Sequence, residues 1–183
     1  MYKLIPLEQH CIVEVSDFFL PPIDLVSLPY TESNASYTED ILSNTTYKRF
    51  VADVTPGYRN LFRDRVNIII EMMKQHKLYT NSKLYNDTDN ALGVSVCRDS
   101  VGWKQDIHVD HPDVLMSGVV HITDCDTPTK FYKDMKSITP LYVAPNKAGS
   151  GAFWLNTDQG FHGVDPVTIE RNHFFFLLLR LAK

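Results

Sequence analysis

The chain has 183 residues, of which 44% are hydrophobic and 22% charged, and its formal net charge is -4. This length supplies one sizeable core and is short for two, so we expect one domain over residues 1–183. Lysine and arginine form no basic block, which argues against non-specific nucleic-acid binding. The N-terminus lacks a signal-peptide pattern and no apolar run reaches the ~20 residues of a membrane span, so we expect a soluble, cytoplasmic protein without membrane partners.

The cysteines indicate the same compartment. Cys11, Cys97 and Cys125 are an odd number, widely spaced and without a C-x-x-C pair. A disulfide framework normally has an even set in an oxidising compartment. We therefore expect three free thiols in or near the core.

The first half of the chain, residues 1–89, is predicted to be a helical and irregular support. Residues 18–30 (FFLPPIDLVSLPY) have the composition of an irregular extended segment, and residues 31–50 that of a polar connection with a short helix. After Thr55-Pro56-Gly57, apolar residues recur at helical spacing between charged ones, which predicts one amphipathic helix. The apolar positions are Leu61, Phe62, Val66, Ile69, Ile70 and Met73.

The second half, residues 90–183, has a different pattern of short β-branched and aromatic runs separated by turns. The runs are GVSVC, DIHVDH, MSGVVHIT, TKFYKD, SITPLYVAP, GAFWLNT, GFHGVDPVTI and HFFFLLLRL. Many short strands after a helix are typical of an antiparallel sandwich or barrel with the helix packed on one outer face. We therefore predict a mainly β fold.

The run QDIHVDHPD, residues 105–113, contains two His-x-Asp triplets. Because side chains alternate along a strand, His108 and Asp110 point the same way while His111 points to the other face. Pro112 favours a strand end, so Asp113 is expected to begin the following loop. Of the two triplets, His108-Val109-Asp110 is the one that can converge on a metal ion.

A third ligand and an anion-binding residue are available further along the chain. His162 lies between Gly160 and Gly163, which allow the backbone to approach closely. Two histidines and a carboxylate form the facial triad that holds non-heme Fe(II) and leaves open positions. Arg171, nine residues beyond His162, could hold the far carboxylate of a co-substrate with its two-pronged guanidinium.

Together these residues resemble a known family. HVD, followed by FHGVDPVTIER, is similar to the HxD…HxVxP…R pattern of the 2-oxoglutarate- and Fe(II)-dependent dioxygenases, in particular their prolyl-hydroxylase-like branch of small phage and bacterial proteins. The resemblance covers about residues 90–180. It implies a double-stranded β-helix (jelly roll, cupin-like) in 90–183, with 1–89 as its support. It also implies His108, Asp110 and His162 as iron ligands and Arg171 as the anchor of the 2-oxoglutarate C5 carboxylate.

Two departures from the family pattern concern the secondary contacts to 2-oxoglutarate. Relatives often carry a tyrosine on the strand before HxD, where this chain has Cys97 and Arg98. They often show YLN on the strand after HxD, where this chain has His121 in the tyrosine position. His121, Arg98 and Tyr132 are therefore the candidates for these contacts.

The resemblance implies a hydroxylase with Fe(II), 2-oxoglutarate and O2 as cofactors and co-substrates, and succinate and CO2 as co-products. The polar, turn-rich segments 31–50, 79–90 and 124–137 are expected to form the rim and favour a peptide, a protein side chain or a small polar substrate. Two alternatives stay open. One is a cupin-type metal enzyme that does not use 2-oxoglutarate, from which Arg171 distinguishes the oxygenase. The other is a jelly-roll binding module without catalysis.

Overall fold

The computed structural model describes residues 1–40, 45–86 and 89–181, and within these ranges it has twelve strands and two helices. The strands are β1 (Tyr2–Pro6), β2 (Cys11–Val15), β3 (Thr31–Asp40), β4 (Thr45–Asp53), β5 (Asn90–Asp99), β6 (Gln105–His108), β7 (Val114–His121), β8 (Thr129–Phe131), β9 (Tyr142–Val143), β10 (Gly151–Leu155), β11 (His162–Val164) and β12 (Arg171–Arg180). The helices are α1 (Thr55–Met73) and α2 (Lys83–Asn86).

The strands form two antiparallel sheets. The larger sheet has the order β1-β2-β10-β7-β12-β5-β4-β3, and the smaller one has the order β6-β11-β8-β9. Each of the eight runs predicted in residues 90–183 overlaps one of the strands β5 to β12. The prediction of a mainly β fold is therefore confirmed.

The first half of the chain differs from the prediction, because four strands lie where helical and irregular support was expected. The segment 31–50, predicted to be a polar connection with a short helix, forms β3 and most of β4; its residues 41–44 lie outside the described ranges. These residues form strands because of long-range pairing: β4 pairs with β5, and β2 pairs with β10. The pairing gives hydrogen-bond partners to backbone groups of the larger sheet that a polar loop would leave unpaired. The irregular segment predicted at 18–30 is confirmed.

Helix α1 confirms the predicted amphipathic helix. Pro56 lies in its first turn, where the missing N–H costs no hydrogen bond. Phe62, Val66, Ile69 and Met73 are buried on the face that packs against the larger sheet. Neither helix in the described residues is long and apolar enough to cross a membrane.

Alternation along β12 separates the core from the polar interior. Phe174 and Phe176 point to α1, where both rings contact Phe62 at centroid distances of 5.2 and 5.1 Å. The intervening positions point to the other face, where Arg171 reaches Thr129 of the smaller sheet. The strand period of two therefore directs Arg171 into the space between the sheets. Cys11, Cys97 and Cys125 are free and buried, as expected.

Candidate metal centre

The pairing of β6 with β11 brings two distant histidines side by side. His108 and His162 are direct cross-strand partners, with ring centroids 4.4 Å apart. Asp110 follows the end of β6, and its Oδ1 lies 3.8 Å from His108 Nε2 and 3.5 Å from His162 Nε2. One possible ligand atom from each of the three residues lies within 4.8 Å of the others. The three predicted ligands therefore meet at one point.

Both histidines are oriented by the backbone. His108 Nδ1 donates to the carbonyl oxygen of Asp106 at 2.9 Å, and His162 Nδ1 donates to that of Gly160 at 2.8 Å. Because a carbonyl oxygen only accepts, these bonds require the tautomer that is protonated at Nδ1. Nε2 is therefore the nitrogen of each ring that faces the cluster and is available as a ligand atom. Without a metal, His108 Nε2 accepts a hydrogen bond from Gln105 Nε2 at 3.1 Å.

Asp110 is held through one of its two carboxylate oxygens. Oδ2 accepts hydrogen bonds from Ser117 Oγ at 2.7 Å and from Trp154 Nε1 at 3.2 Å, while Oδ1 faces the histidines. Burial opposes ionisation of Asp110, but His162 and the Ser117 hydroxyl outweigh burial and lower its pKa to about 2. Asp110 is thus ionised and oriented at neutral pH.

The donor set fits a divalent transition metal. Burial, together with the proximity of His162, lowers the pKa of His108, so this ring is neutral and able to ligate at neutral pH. Two imidazole nitrogens and one carboxylate oxygen on one side of a point leave the opposite side open, which is the arrangement of non-heme Fe(II) sites. The residues present are consistent with that ion.

The second His-x-Asp triplet lies outside this cluster. The side chains of His111 and Asp113 are 74% and 64% exposed, and they contact each other at 3.5 Å. Among the described residues, the cluster of potential metal ligands consists of His108, Asp110 and His162. The choice between the two triplets made from strand alternation agrees with this geometry.

A cavity between the sheets connects the triad to Arg171, and we call it the central cavity. Its lining includes the triad, Arg49 and Arg171, Gln105 and Thr129, and the apolar side chains Val119, Trp154, Val164 and Phe175. Arg171 is 1% exposed; its Nη1 donates to Asp99 Oδ2 at 3.0 Å and its Nη2 to Thr129 Oγ1 at 3.1 Å. The structure therefore brings the predicted anchor and the predicted ligands into one cavity.

Sequence reasoning missed a second guanidinium in this cavity. Arg49 of β4 donates from Nε to Asp99 Oδ1 at 2.6 Å and from Nη2 to Asp99 Oδ2 at 3.0 Å. Its guanidinium lies 4.0 Å from the ring centroid of the buried Trp103. Arg49 belongs to the segment predicted to be a connection, so no strand alternation was available to place it.

His121 lies close to Arg171 but does not line the central cavity. Its ring is buried, and the ring centroid lies 6.2 Å from that of His173. Its Nδ1 lies 3.4 Å from Cys125 Sγ. Burial, and then the charge of Arg171, lower the pKa of His121 to about 3. His121 is therefore a neutral neighbour of the arginine.

The structure does not bring Arg98 or Tyr132 to the cavity. Arg98 points to the opposite face of β5 from Asp99, with its guanidinium 4.6 Å from the Tyr30 ring centroid. Tyr132 follows β8, and its backbone carbonyl accepts a hydrogen bond from His10 at 2.8 Å. Neither residue lines the central cavity. Each is one residue out of phase with a side chain that contacts a cavity residue: Asp99 bonds to Arg171, and the Phe131 ring packs against His162.

Comparison with known proteins finds solved structures of similar fold but no match in sequence. No protein-family model matches the chain, and no curated protein matches it in sequence. An oxidoreductase of the 2OG-Fe(II) oxygenase family from Burkholderia pseudomallei superposes with a TM-score of 0.60 at 15% identity, over 85% of this chain and 75% of that one. A Pseudomonas putida prolyl-4-hydroxylase superposes with a TM-score of 0.53 at 11% identity, over 86% of this chain and 96% of that one.

A third solved structure is a prolyl hydroxylase from Trichoplax adhaerens in complex with a hypoxia-inducible-factor peptide. It has a TM-score of 0.50 at 11% identity and covers 79% of this chain and 71% of that one. The chain thus has the fold of 2OG-Fe(II) oxygenases and prolyl hydroxylases. In fold, the resemblance read from the sequence is confirmed.

Proposed function

We propose that this protein is a 2-oxoglutarate- and Fe(II)-dependent dioxygenase that hydroxylates a C–H bond, with succinate and CO2 as co-products. The observation that carries the proposal is the convergence of His108, Asp110 and His162 in the cavity that also contains Arg171. The shared fold supports it, because an oxygenase fold without these residues would argue only for architecture.

The finer architecture that we propose is a double-stranded β-helix. Successive strands from β5 onward are distributed between the two sheets so that β5, β12, β7 and β10 are neighbours in the larger sheet, and β6, β11, β8 and β9 in the smaller one. This order is what two antiparallel strands wound together into a barrel would give. We accordingly propose one domain over 1–183, with 90–183 as the jelly-roll core and 1–89 as its support.

In this proposal each end of the cavity has its own task. His108 Nε2, His162 Nε2 and Asp110 Oδ1 would hold the iron, and Arg171 with the Thr129 hydroxyl would hold the C5 carboxylate of 2-oxoglutarate. The bound iron and 2-oxoglutarate supply the oxidising chemistry that inserts one oxygen atom of O2 into a C–H bond.

The remaining work belongs to the protein. Ser117 and Trp154 fix the carboxylate of Asp110 so that Oδ1 is the ligand atom. Trp154 also packs against the ring of His162, at a centroid distance of 4.8 Å, and Phe131 packs against both rings. These aromatic side chains exclude water from one side of the site, which protects a strong oxidant from side reactions.

A groove on the larger sheet leads outward from the central cavity, and we propose that it binds the substrate. Phe175, Leu177 and Leu179 of β12 and the small residues Ala91, Gly93 and Ser95 of β5 form its floor, and Asp53, Thr55 and Arg59 form its rim. Phe175 lines both spaces. Leu177 is the cross-strand partner of Ser117, which bonds to Asp110. The groove therefore adjoins the metal end of the cavity.

The chemistry of this groove supports a substrate with a carbon skeleton and polar groups. The apolar floor can bind the carbon skeleton that presents the C–H bond, and Asp53 and Arg59 can bind polar or charged groups at the rim. A side chain of a peptide or protein, or a small polar molecule, meets both requirements.

The groove can be filled without disturbing the sheet. A Cβ added at Gly93 would meet only the Leu177 carbonyl oxygen, at an ordinary 3.7 Å. Gly93→Leu should therefore fold, bind metal and 2-oxoglutarate as the parent does, and lose substrate-stimulated succinate formation. Gly57→Leu is the matched control, because nothing lies within 4 Å of the added Cβ. Equal stimulation in both variants would place the substrate elsewhere.

The proposed function is tested by screening the protein, reconstituted with Fe(II), against peptide, amino-acid and nucleotide pools. The expected result is 2-oxoglutarate-dependent succinate formation together with a product that is heavier by one oxygen atom. The control enzyme is His162→Ala, which should give neither signal. Metal binding without any consumption of 2-oxoglutarate would favour the cupin-type alternative, and the absence of metal binding would favour a non-catalytic module.

A further inference from the structure

The arginine end of the central cavity contains a buried cluster of three charges. Asp99 is fully buried and accepts three hydrogen bonds, two from Arg49 and one from Arg171. The three residues are aligned across three neighbouring strands, since Asp99 is the direct partner of Arg171 on β12 and of Arg49 on β4. One carboxylate is thus shared by two guanidiniums.

The other titratable groups that face this cluster are neutral. His173 is fully buried, with Nδ1 3.9 Å from Asp99 Oδ2, and burial followed by the charges of Arg171 and Arg49 lowers its pKa well below the usual value. The pKa of His121 is lowered to about 3, and burial raises that of the Cys97 thiol to about 11. The cluster therefore has two positive charges and one negative charge.

The sharing of Asp99 determines what an anion in the cavity would encounter. If a neutral residue replaced Arg49, Asp99 would pair with Arg171 alone. An incoming carboxylate would then meet a guanidinium whose charge is already compensated, together with the buried negative charge of Asp99. With Arg49 present, two of the three bonds to Asp99 come from the other arginine. The guanidinium of Arg171 then keeps a net attraction for an anion, although it has a carboxylate partner.

The position of Arg49 is itself fixed. Its guanidinium carbon lies 4.0 Å from the ring centroid of the buried Trp103, and its side chain is 8% exposed. Two hydrogen bonds to one carboxylate and one aromatic contact leave it little rotational freedom. A residue of the N-terminal support is therefore held rigidly at the end of the cavity opposite the metal ligands.

We propose that Arg49 is a positioning residue for the anionic co-substrate. Arg49 engages the carboxylate of Asp99 and so keeps Arg171 able to bind the carboxylate of the co-substrate. This inference rests on the proposed function for the identity of the anion. It assigns to the β3–β4 support a part in co-substrate affinity. Arg49 acts through Asp99 and Arg171, and this role requires no contact between Arg49 and the anion.

The test compares parent, Arg49→Gln, Asp99→Asn and the double variant Arg49→Gln/Asp99→Asn. Mn(II) affinity and 2-oxoglutarate affinity are measured separately by calorimetric titration, with unfolding curves for each protein. Arg63→Gln is the charge-matched control, since Arg63 is exposed on α1. We expect Arg49→Gln to weaken 2-oxoglutarate binding by about tenfold or more without weakening Mn(II) binding, because the lost positive charge can only have repelled a cation.

The double variant distinguishes this role from a structural one. It removes one positive and one negative charge, so the net charge of the cluster is restored, and 2-oxoglutarate affinity should return to within about threefold of the parent. A merely structural role for Arg49 predicts no such rescue. Parent-like affinity in Arg49→Gln, or a double variant as weak as Arg49→Gln, would overturn the inference, and the double variant decides the matter even if Asp99→Asn alone does not fold.

Failure of the proposed function would look different. In that case the Mn(II)-loaded parent would not bind 2-oxoglutarate at all. The same proteins are then titrated with succinate, a dicarboxylate that needs no metal chelation. Weaker succinate binding in Arg49→Gln with rescue in the double variant would still support the role of Arg49, whereas equal or absent succinate binding throughout would refute it.

Discussion

The two ends of the central cavity are built on different principles. At the metal end, neutral hydrogen-bonding groups orient each ligand: backbone carbonyls hold the two histidines, and Ser117 and Trp154 hold Asp110. At the other end, charged groups hold one another, since Asp99 bridges Arg49 and Arg171. The metal end therefore orients its ligand atoms with neutral partners, among them the Gln105 amide that donates to His108 Nε2. The arginine end keeps one net positive charge, because two guanidiniums share one carboxylate, and its affinity for an anion depends on that excess.

The largest effect is expected from removing a ligand at the metal end. His108→Ala should weaken Fe(II) or Mn(II) binding by more than about 100-fold, because the loss of outer partners alone commonly costs 10–100-fold. His111→Ala, three residues away on an exposed side chain, is the control and should bind metal as the parent does. Metal affinity measured by titration checks both variants; equal affinities would place the metal elsewhere.

The arginine end should respond through the anion and not through the metal. Arg171→Met removes a buried guanidinium and its charge-assisted hydrogen bonds, and we expect 2-oxoglutarate to bind about 30- to 100-fold more weakly. Mn(II) affinity should stay within about threefold, because Arg171 donates to Asp99 and Thr129 and to no member of the triad. A parallel loss of metal binding would mean that the two ends are not separable.

Ser117 tests whether neutral partners matter at the metal end. Ser117→Ala deletes the 2.7 Å hydrogen bond to Asp110 Oδ2 and leaves the Trp154 bond at 3.2 Å. We expect about a tenfold loss of Mn(II) affinity with little change in the free energy of unfolding of the metal-free protein. An unchanged Mn(II) affinity would show that Trp154 alone is sufficient to orient the carboxylate.

The smallest effect concerns pH and the neutral histidine beside Arg171. In the unfolded chain a histidine protonates near pH 6.5, whereas folded His121 does so only near pH 3. Between these values the unfolded state binds more protons, so the free energy of unfolding of the metal-free protein falls as the pH falls.

Urea unfolding between pH 7.5 and pH 5.5 measures this dependence. The expected contribution from His121 is about 1 kcal/mol over that interval, and His121→Asn should show the smaller slope. His111→Ala, which changes an exposed ring, should keep the slope of the parent. If the slope of His121→Asn equals that of the parent, His121 is not held neutral in the folded state.

The sequence was informative where a strand repeats and where a motif has fixed spacing. The runs that became β5 to β12 alternate or are continuously apolar, and the triad follows from His-x-Asp, a distal histidine and the strand period of two. The placement of Arg171 follows from the same parity. These features depend on short-range pattern and could be predicted.

The features that were missed depend on long-range pairing. β4 contains Thr, Tyr, Lys and Arg with little alternation, and it is a strand because it completes the edge of β5. Only that pairing places Arg49 opposite Asp99. Arg98 was predicted to contact 2-oxoglutarate, but it is its neighbour Asp99 that faces the arginines of the cavity. This difference is one residue of strand phase, which the sequence did not determine.

The claim that one cavity holds both a metal and a dicarboxylate is tested most directly by the coupling between the two ligands. 2-Oxoglutarate is titrated anaerobically into Fe(II)-loaded and metal-free protein, with His162→Ala as the control. If the triad and Arg171 serve one bound molecule, 2-oxoglutarate should bind the iron-loaded protein at least about tenfold more tightly than the metal-free protein, and His162→Ala should abolish the difference. Tight iron binding with no effect on 2-oxoglutarate affinity would contradict the account.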